Sequence, residues 1–209
     1  DLTKLRNLNC LTISNYSKSI LNDIYFFKSY VIHNSLPYYV YQKRFKKNYK
    51  ILQNKEKTID VIFVGRAIKI KLTKHALSIL EELANSNKSV QILGEGDSSK
   101  MHKRIFPQTK INFLGTLPHS EVEEYLKKAK VFISCSESEP FGLVYLEALM
   151  QGCIVVSPFS GGSLEISSRL GEISKEFFAF YEKSFHIIID YFYYIIYFRT
   201  LFYFRSLSI

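Results

Sequence analysis

The segment VFISCSESEPFGLVYLEALMQGCIVVSP, residues 131–158, decides the fold of this chain. It contains an apolar run that ends in Ser, a stretch with helical spacing of apolar residues, and a second β-branched run that ends in Ser-Pro. Strands that are apolar throughout are typical of parallel sheets, which helices cover on both faces. The segment therefore predicts a strand, a helix and a second, parallel strand.

The same alternation extends towards the amino terminus. Three further runs have the composition of buried strands: residues 58–65, 89–96 and 111–115. Three segments are predicted to be helices: residues 73–86, 98–106 and 119–129. In the first helix Leu77, Leu80 and Leu83 share one face, which we expect to be buried, and Ser120 is the expected N-cap of the last helix. The series predicts an α/β fold with a doubly wound parallel sheet.

Composition narrows the class of protein without choosing its function. The 209 residues are 47% hydrophobic, which is enough for a globular core. The formal charge of +9 favours an acidic partner such as a nucleotide, a phosphate, a nucleic acid or an anionic membrane surface. The three cysteines, Cys10, Cys135 and Cys153, form no C-x-x-C pair. They therefore predict neither a zinc site nor a disulfide framework, and they favour a reducing, cytosolic setting.

Four regions are predicted along the chain. They are the last piece of a preceding domain in residues 1–42, a basic linker in 43–57, the doubly wound domain in 58–168 and an atypical aromatic tail in 169–209. The tail includes IIIDYFYYIIYFRTLFYF, which Asp190 and Arg199 interrupt, and we expect it to be helical. A buried helical pair, an interfacial helix and a segment that has lost its reading frame all remain open. The chain opens without an initiator Met or an apolar leader, which favours an internal cut over a signal peptide.

Chemistry is expected at the carboxyl ends of the strands, where parallel α/β sheets bind ligands. Glu139 precedes the helix predicted after the 131–136 strand, and Glu147 lies inside that helix, with a Pro-Phe-Gly turn between them. The N–H groups of the first turn favour an anion such as a diphosphate, and Gly142 lets the backbone approach it closely. The two carboxylates would then flank the anion and accept hydrogen bonds from sugar hydroxyls. The alternative for the same residues is a helix cap at Glu139 and an ordinary ion pair at Glu147.

Other strand ends carry weaker signals. Arg66 follows one strand end and Lys71 lies five residues later, so two cations are expected where a phosphate would bind, although surface charge is the common role of such residues. Gly94 belongs to a Gly-x-Gly turn after the next strand. After the last strand, the pair Gly161-Gly162 predicts a flexible turn, and Glu165 follows it.

A series of motifs occurs in the order typical of a known family: GRAIKIK, ILGEGD and INFLG, followed by the segment that ends in SGGSLE. In that order they resemble the nucleotide-sugar-binding half of the group 1, or family 4, glycosyltransferases of the GT-B fold. The resemblance covers residues 58–166, and the E-x7-E pattern with its Phe-Gly is its most specific part. ISNYSKSIL and VIHNSL resemble the end of that family's N-terminal domain and its crossing into the C-terminal one, so we expect residues 1–42 to be a remnant of that domain. The resemblance implies a Rossmann-like domain and transfer of a sugar from a nucleotide diphosphate donor with retention of configuration.

The resemblance also implies roles for individual residues. Arg66 and Lys71 stand where the family's cations neutralise the donor diphosphate, and Glu139 stands at the acid near the donor sugar. We expect these three residues to act in catalysis. The residues expected to bind the donor are Phe141, Gly142 and Leu143 at the phosphates and sugar, Glu147 at the ribose hydroxyls, and Gly94 and Gly115 near the base. No metal or cofactor is implied, because cations and helix N-termini stabilise the departing diphosphate.

Two positions depart from the family pattern. Leu72 stands where a Gly usually follows the phosphate lysine, and Leu164 stands where a Pro is common before the late acid. The family implies a glycan or lipid-linked acceptor and a place in the cytoplasm, at the inner face of the membrane, and it implies no nucleic acid. Two alternatives stay open: a truncated module that binds donor without turnover, and a basic binder of nucleic acid or membrane surfaces that uses residues 43–57 and the aromatic tail.

Overall fold

The computed structural model describes residues 9–35, 57–66, 74–94, 111–136, 138–159 and 161–181. Several of the predictions fall outside these ranges. They concern Lys71, Leu72, most of the basic linker, the helix at 98–106 and the tail beyond residue 181.

Strands and helices alternate along most of the described chain. The strands are β1 (Cys10–Thr12), β2 (Ser29–Val31), β3 (Ile59–Val64), β4 (Val90–Leu93), β5 (Ile111–Gly115), β6 (Ala129–Ile133), β7 (Ile154–Pro158) and β8 (Phe178–Tyr181). The α-helices are α1 (Asn15–Ser19), α2 (Lys74–Asn85), α3 (His119–Lys128), α4 (Leu143–Met150), α5 (Gly161–Leu170) and α6 (Ser174–Phe177). A π-helical turn (Ile20–Ile24) continues α1, and a 3-10 turn (Gly171–Ile173) joins α5 to α6. The strands and helices predicted between residues 58 and 158 are confirmed where they fall within the described residues, with small shifts at their ends.

Six of the strands form one parallel sheet in the order β5-β4-β3-β6-β7-β8. The chain runs from β3 outwards to β4 and β5, and then returns to place β6 on the other side of β3. Helices cover both faces of this sheet, as apolar parallel strands require. The predicted doubly wound α/β fold is therefore confirmed.

Each face of the sheet has its own apolar core. On one face, α2 buries the three leucines that were predicted to point inwards. On the other face, α3, α4 and α5 contribute Leu126, Tyr145 and Ile166, which pack against the sheet. Burying one such large apolar side chain stabilises a fold by about 1.5–3 kcal/mol. The strands are therefore held from both sides, and the loops at their ends remain available for other contacts.

The amino-terminal segment, residues 9–35, forms a small unit that contacts α5. In this unit β1 and β2 pair in parallel, with Cys10 opposite Ser29. Ser14 caps α1, because its Oγ accepts a hydrogen bond from Ser17 N at 3.0 Å. The segment thus has the order strand, helix, strand.

The predicted N-cap of α3 is wrong. The helix begins at His119, and the carbonyl of Pro118 accepts hydrogen bonds from Glu121 N at 2.9 Å and Val122 N at 3.1 Å. Pro118 is extended and makes no side-chain cap, so Ser120 lies inside the first turn. The hydroxyl of Ser120 was a plausible cap by residue type, but backbone contacts place the helix start two residues earlier.

The parallel sheet includes a strand beyond residue 168, the predicted end of the doubly wound domain. Phe178–Tyr181 forms β8, which pairs with β7 from Val155 opposite Phe178 to Pro158 opposite Tyr181. Phe178 and Ala179 are buried in the cores on opposite faces of the sheet. The expectation of a helix is therefore wrong for this part of the tail, because alternate side chains of a strand can complete both cores at the sheet edge. Among the described helices, none combines the length and apolar composition needed to cross a bilayer.

Ionised side chains link neighbouring strands at the amino-terminal ends of the strands, which we call the amino edge of the sheet. Asp60 in β3 accepts hydrogen bonds from Lys130 Nζ at 2.7 Å and from Ser89 N at 2.9 Å. Burial alone would raise the pKa of Asp60, but the hydrogen bonds from Lys130 and Ser89 and the charge of Lys130 lower it below its ordinary value of 3.8. The ionised carboxylate thus connects β3 with β6 and with the start of β4.

Lys57 connects the ends of two helices at the same edge. Its Nζ donates to Ala129 O at 2.7 Å and to Gln151 O at 2.9 Å, at the carboxyl ends of α3 and α4. Burial lowers the pKa of Lys57, and the neighbouring Cys153 thiol acts in the opposite direction. Burial also raises the pKa of Cys153 to about 11, so this thiol stays protonated near neutral pH.

We expect Asp60→Asn to reduce the free energy of unfolding at neutral pH. The pKa of Asp60 is lower in the folded protein than in the unfolded chain, so its contribution is fully present above the unfolded pKa of about 4 and is lost as the pH falls through the folded pKa. Urea denaturation at neutral pH and at about pH 3 measures this effect, and the difference between variant and wild type should shrink in acid. The exposed Asp23 supplies the control, Asp23→Asn. A difference that stays the same at both pH values would contradict this role for Asp60.

Candidate functional site

Several of the predicted site residues lie at the carboxyl-terminal ends of the strands, which we call the carboxyl edge of the sheet. Arg66 follows β3 and is exposed, Gly94 follows β4, and Gly115 ends β5. Glu139 lies in the loop after β6 and is half-buried. Because β3 and β6 are neighbours although two strands separate them in the chain, their following loops diverge at a reversal of strand order. Open α/β sheets bind ligands at such a reversal.

Glycine backbone forms the edge at the ends of β4 and β5. Gly94 N donates a hydrogen bond to Gly115 O at 2.8 Å. Gly94 has a φ of +136°, and a Cβ added there would lie 1.9 Å from Gly65 O. A side chain at position 94 would therefore push the end of β4 away from β3. Gly94, which was predicted to lie near the base of a nucleotide, is thus required by the close packing of these strand ends whether or not a nucleotide binds.

The 138–142 loop connects β6 to α4. Phe141 in this loop is buried, and Gly142, with a φ of +79°, is the N-cap of α4. A Cβ added to Gly142 would lie 2.6 Å from the Tyr145 ring and 3.0 Å from Glu139 Cγ. Gly142 therefore allows both side chains to approach the start of α4. The first backbone N–H groups of a helix have no helical acceptor, so an anion is favoured at this position.

The predicted Gly161-Gly162 turn is wrong, since these residues form the first turn of α5. Gly162 N donates a hydrogen bond to Glu139 O at 2.8 Å. A Cβ on Gly162 would lie 2.0 Å from Phe141 O, and one on Gly161 would lie 2.5 Å from Glu139 O. The glycine pair is needed because the start of α5 touches the backbone of the 138–142 loop. That contact is distant in sequence, so the local pattern of two glycines could not reveal it.

Tyr145 packs under the 138–142 loop. Its hydroxyl lies 2.9 Å from Ser134 Oγ, and its ring makes an edge contact with Phe132. Burial raises the pKa of Tyr145, the hydrogen bond with Ser134 acts in the opposite direction, and the nearby charge of Glu139 raises it further. Tyr145 therefore stays neutral and supports the loop as a buried, hydrogen-bonded ring. Sequence reasoning did not identify it, because its role depends on the position of Ser134 at the end of β6.

Glu147 lies in the second turn of α4 and faces α3. Burial raises the pKa of Glu147 above its ordinary value of 4.5, His119 acts in the opposite direction and the negative charge of Glu123 raises the pKa further. His119 Nε2 lies 3.6 Å from Glu123 Oε1 across one turn of α3. Neither His119 nor Glu123 was predicted from the sequence to be a neighbour of Glu147. The one local signal was the position of His119, at the start of the helix that follows β5.

The two acids of the E-x7-E pattern thus have different surroundings. Glu139 lies beside Gly142 and Tyr145, whereas Glu147 lies beside the first turns of α3. Leu143, directly after the loop, is half-buried. An anion held between the two acids stays a prediction, as does the part of Lys71, which lies outside the described residues. Within the described ranges, no group of three or more His, Cys, Asp or Glu side chains could hold a metal ion.

Comparison with known proteins assigns the chain to a family. The family described as "Glycosyl transferases group 1" matches residues 44–171. The sulfoquinovosyl transferase SQD2 of Arabidopsis thaliana is 32% identical over 106 residues, which are 51% of this chain and 20% of that protein. The GPI3 subunit of the phosphatidylinositol N-acetylglucosaminyltransferase of Saccharomyces cerevisiae is 25% identical over 120 residues, 54% of this chain and 26% of that protein. The chain thus spans about a fifth to a quarter of the length of these relatives.

Solved structures show the same fold. The sucrose-phosphate synthase of Thermosynechococcus elongatus superposes with a TM-score of 0.59 at 17% identity, over 79% of this chain and 44% of that one. HepE of Anabaena, solved in complex with UDP-glucose, superposes with a TM-score of 0.56 at 18% identity, over 75% of this chain and 46% of that one. At these identities the likeness shows the fold alone. Because the family match covers more than half of the residues, from the basic linker to the end of α5, the chain belongs to the group 1 glycosyltransferases.

Proposed function

We propose that this chain forms the donor-binding part of a retaining glycosyltransferase, which transfers a sugar from a nucleotide diphosphate sugar to a glycan or lipid-linked acceptor. The observation that carries the proposal is the placement of Glu139 and Glu147 around the first turns of α4, at the reversal of strand order. Ligands bind at this position in open α/β sheets as a general rule. The proposal assigns the donor to the carboxyl edge between β3 and β6.

The diphosphate of the donor is assigned to the start of α4. Gly142 leaves the backbone open to close approach, and the first N–H groups of the helix favour negative charge. Arg66, which follows β3, supplies positive charge in this scheme, and Lys71 is proposed to add to it. When the bond between the sugar and the diphosphate breaks, these groups carry the charge that develops on the leaving diphosphate. The scheme calls for no metal ion or organic cofactor.

The two acids are assigned to hydroxyl groups on either side of the diphosphate. Glu147 accepts hydrogen bonds from the ribose, and Glu139 lies near the donor sugar, with Phe141 and Leu143 beside it. The partly buried position of Glu147 supports its assignment, since a buried carboxylate is stabilised by hydroxyl donors that arrive with a ligand. Two further backbone positions, Gly94 and Gly115, are assigned to the pocket of the base.

The names of two relatives support the proposed substrate classes. One relative is named as a sulfoquinovosyl transferase and another as a phosphatidylinositol N-acetylglucosaminyltransferase. The second name includes the lipid phosphatidylinositol. HepE was solved with UDP-glucose, which favours a uridine nucleotide as the donor. On this basis we propose a lipid-linked or glycan acceptor, peripheral membrane contact and a place at the inner face of the cytoplasmic membrane, with no nucleic-acid partner. Because the chain spans about a fifth to a quarter of its relatives, donor binding without turnover is the second candidate.

The proposal predicts selective binding of a nucleotide diphosphate. Isothermal titration of the full chain with UDP, ADP and GDP should give saturable heat with one of the three, and we expect UDP. Heparin provides the control for unspecific attraction to the +9 charge, since such attraction weakens steeply with salt. Salt-sensitive heparin binding without a response to any of the three nucleotides would overturn the proposal and favour a basic surface binder.

A second prediction concerns Glu147→Gln, which keeps the size of the side chain and removes its charge. We expect UDP affinity to fall by about 1–3 kcal/mol near neutral pH, the range for a hydrogen bond to a charged group. The pKa of Glu147 is raised, so the wild type should lose this advantage as the pH falls through that raised pKa, at a higher pH than an ordinary Glu would require. Glu121→Gln, an exposed change in the first turn of α3, is the matched control. Equal affinity of wild type and Glu147→Gln would refute the ribose assignment.

A further inference from the structure

A buried carboxylate outside the assigned donor contacts joins the amino-terminal segment to α5. Glu165 is 9% exposed, although Asp and Glu are seldom buried unless they are paired. Its Oε2 accepts a hydrogen bond from Asn15 N at 2.8 Å, and its Oε1 accepts one from Asn15 Nδ2 at 2.9 Å. Asn15 is the first residue of α1, where negative charge is favoured. Two parts of the chain that are 150 residues apart are thus tied by one side chain.

His33 extends this contact towards the 138–142 loop. Its Nδ1 lies 3.2 Å from Glu165 Oε1, close enough for attraction although not aligned as a hydrogen bond, and its Nε2 contacts the guanidinium of Arg169. On its other side, the His33 ring lies 6.1 Å from the ring of Phe141, centroid to centroid. His33 therefore fills the space between α5 and the aromatic side chain of the loop.

The same helix holds the loop directly through its backbone. Gly162 N, one turn before Glu165, donates to Glu139 O at 2.8 Å. The loop is thus fixed on one side by the start of α5 and on another by the His33 ring, which Glu165 and Arg169 hold on the same helix. Loss of Glu165 would release Asn15, and with it the amino-terminal segment that carries His33, and so weaken one of these two supports.

We propose that Glu165 is a positioning residue for the 138–142 loop: it seats the amino-terminal segment on α5 so that His33 presses against Phe141 and fixes the backbone beside Glu139. This inference rests on the proposed function, because the loop is the part assigned to the donor sugar and diphosphate. Glu165 itself touches no donor group in the scheme. Unlike a residue of the apolar core, Glu165 is expected to affect the order of this one loop and not that of the whole sheet.

Amide hydrogen exchange of the ligand-free chain tests the proposal without any donor. Two amides report on the loop: Gly162 N–H, which donates to Glu139 O, and Tyr145 N–H, which donates to Gly142 O. In Glu165→Ala we expect both to exchange about tenfold faster, as the loss of hydrogen bonds to a charged group predicts. The β6 amides should keep their wild-type rates. Glu172→Ala, an exposed change in the 3-10 turn after α5, is the control and should leave all of these rates unchanged.

The pair His33→Ala and His33→Phe decides the proposal if Glu165→Ala does not fold. His33→Ala removes the ring that contacts Phe141, so the Gly162 and Tyr145 amides should again exchange faster. His33→Phe keeps a ring of similar size, so we expect it to restore most of the protection. Equal exchange in the two His33 variants, or wild-type rates at both amides in folded Glu165→Ala, would overturn the positioning role.

Titration with UDP separates this inference from the proposed function. If wild type binds UDP, Glu165→Ala should bind it about tenfold more weakly, and the same fall is expected for His33→Ala but not for His33→Phe. If wild type binds no nucleotide, the proposed function fails while the exchange rates still decide the role of Glu165. If wild type binds UDP and the loop amides of Glu165→Ala keep their rates, the positioning role fails and the donor site stands.

Discussion

The pairing of β3 with β6 is the constraint on which the candidate site depends. Ile59, Val61 and Ile62 lie opposite Ala129, Val131 and Phe132, and the three residues of β3 are buried. Two strands and their helices separate these partners in the chain, so the pairing brings together loops that have no local reason to meet. The segments that carry Arg66 and Glu139 follow adjacent strands only because of this pairing. A shift of β6 by one residue would turn its buried side chains to the opposite face, and the apolar cores on both faces prevent that shift.

The loop beside this pairing is shaped by backbone contacts more than by side chains. Gly142 accommodates the Tyr145 ring, and Gly162 approaches the Phe141 carbonyl more closely than any residue with a Cβ could. These backbone contacts act together with the Tyr145 and His33 side chains to fix the backbone beside Glu139. Such an arrangement holds a binding site in a fixed geometry before a ligand arrives, which reduces the ordering required on binding. The small size of these glycines is therefore part of how the site is built.

The sequence predicted the sheet well because its strands carry their own signal. β-Branched runs that end in Gly or Ser mark β3, β4, β5 and β7, and the leucine spacing of α2 predicted its buried face. Apart from the local shift at the start of α3, the failures share one cause, which is that the deciding contact was not local. The glycine pair of α5 has the pattern of a turn until the 138–142 loop is placed against it, and the aromatic run at Phe178 becomes a strand only because β7 offers a free edge. His119 and Tyr145 were missed for the same reason, since their partners come from other elements.

Two acids at opposite edges of the sheet have opposite surroundings: the pKa of Asp60 is lowered at the amino edge, and the pKa of Glu147 is raised near the carboxyl edge. At the amino edge, Lys57 donates to two main-chain carbonyls and Asp60 accepts from Lys130, so charges there are satisfied within the protein. At the carboxyl edge, burial and the negative charge of Glu123 both raise the pKa of Glu147, and His119 only partly opposes them. A sheet that apolar cores stabilise on both faces can tolerate one unfavourable carboxylate near its carboxyl edge. Acids with perturbed pKa values concentrate at functional sites, so the raised pKa of Glu147 makes it a candidate for such a role.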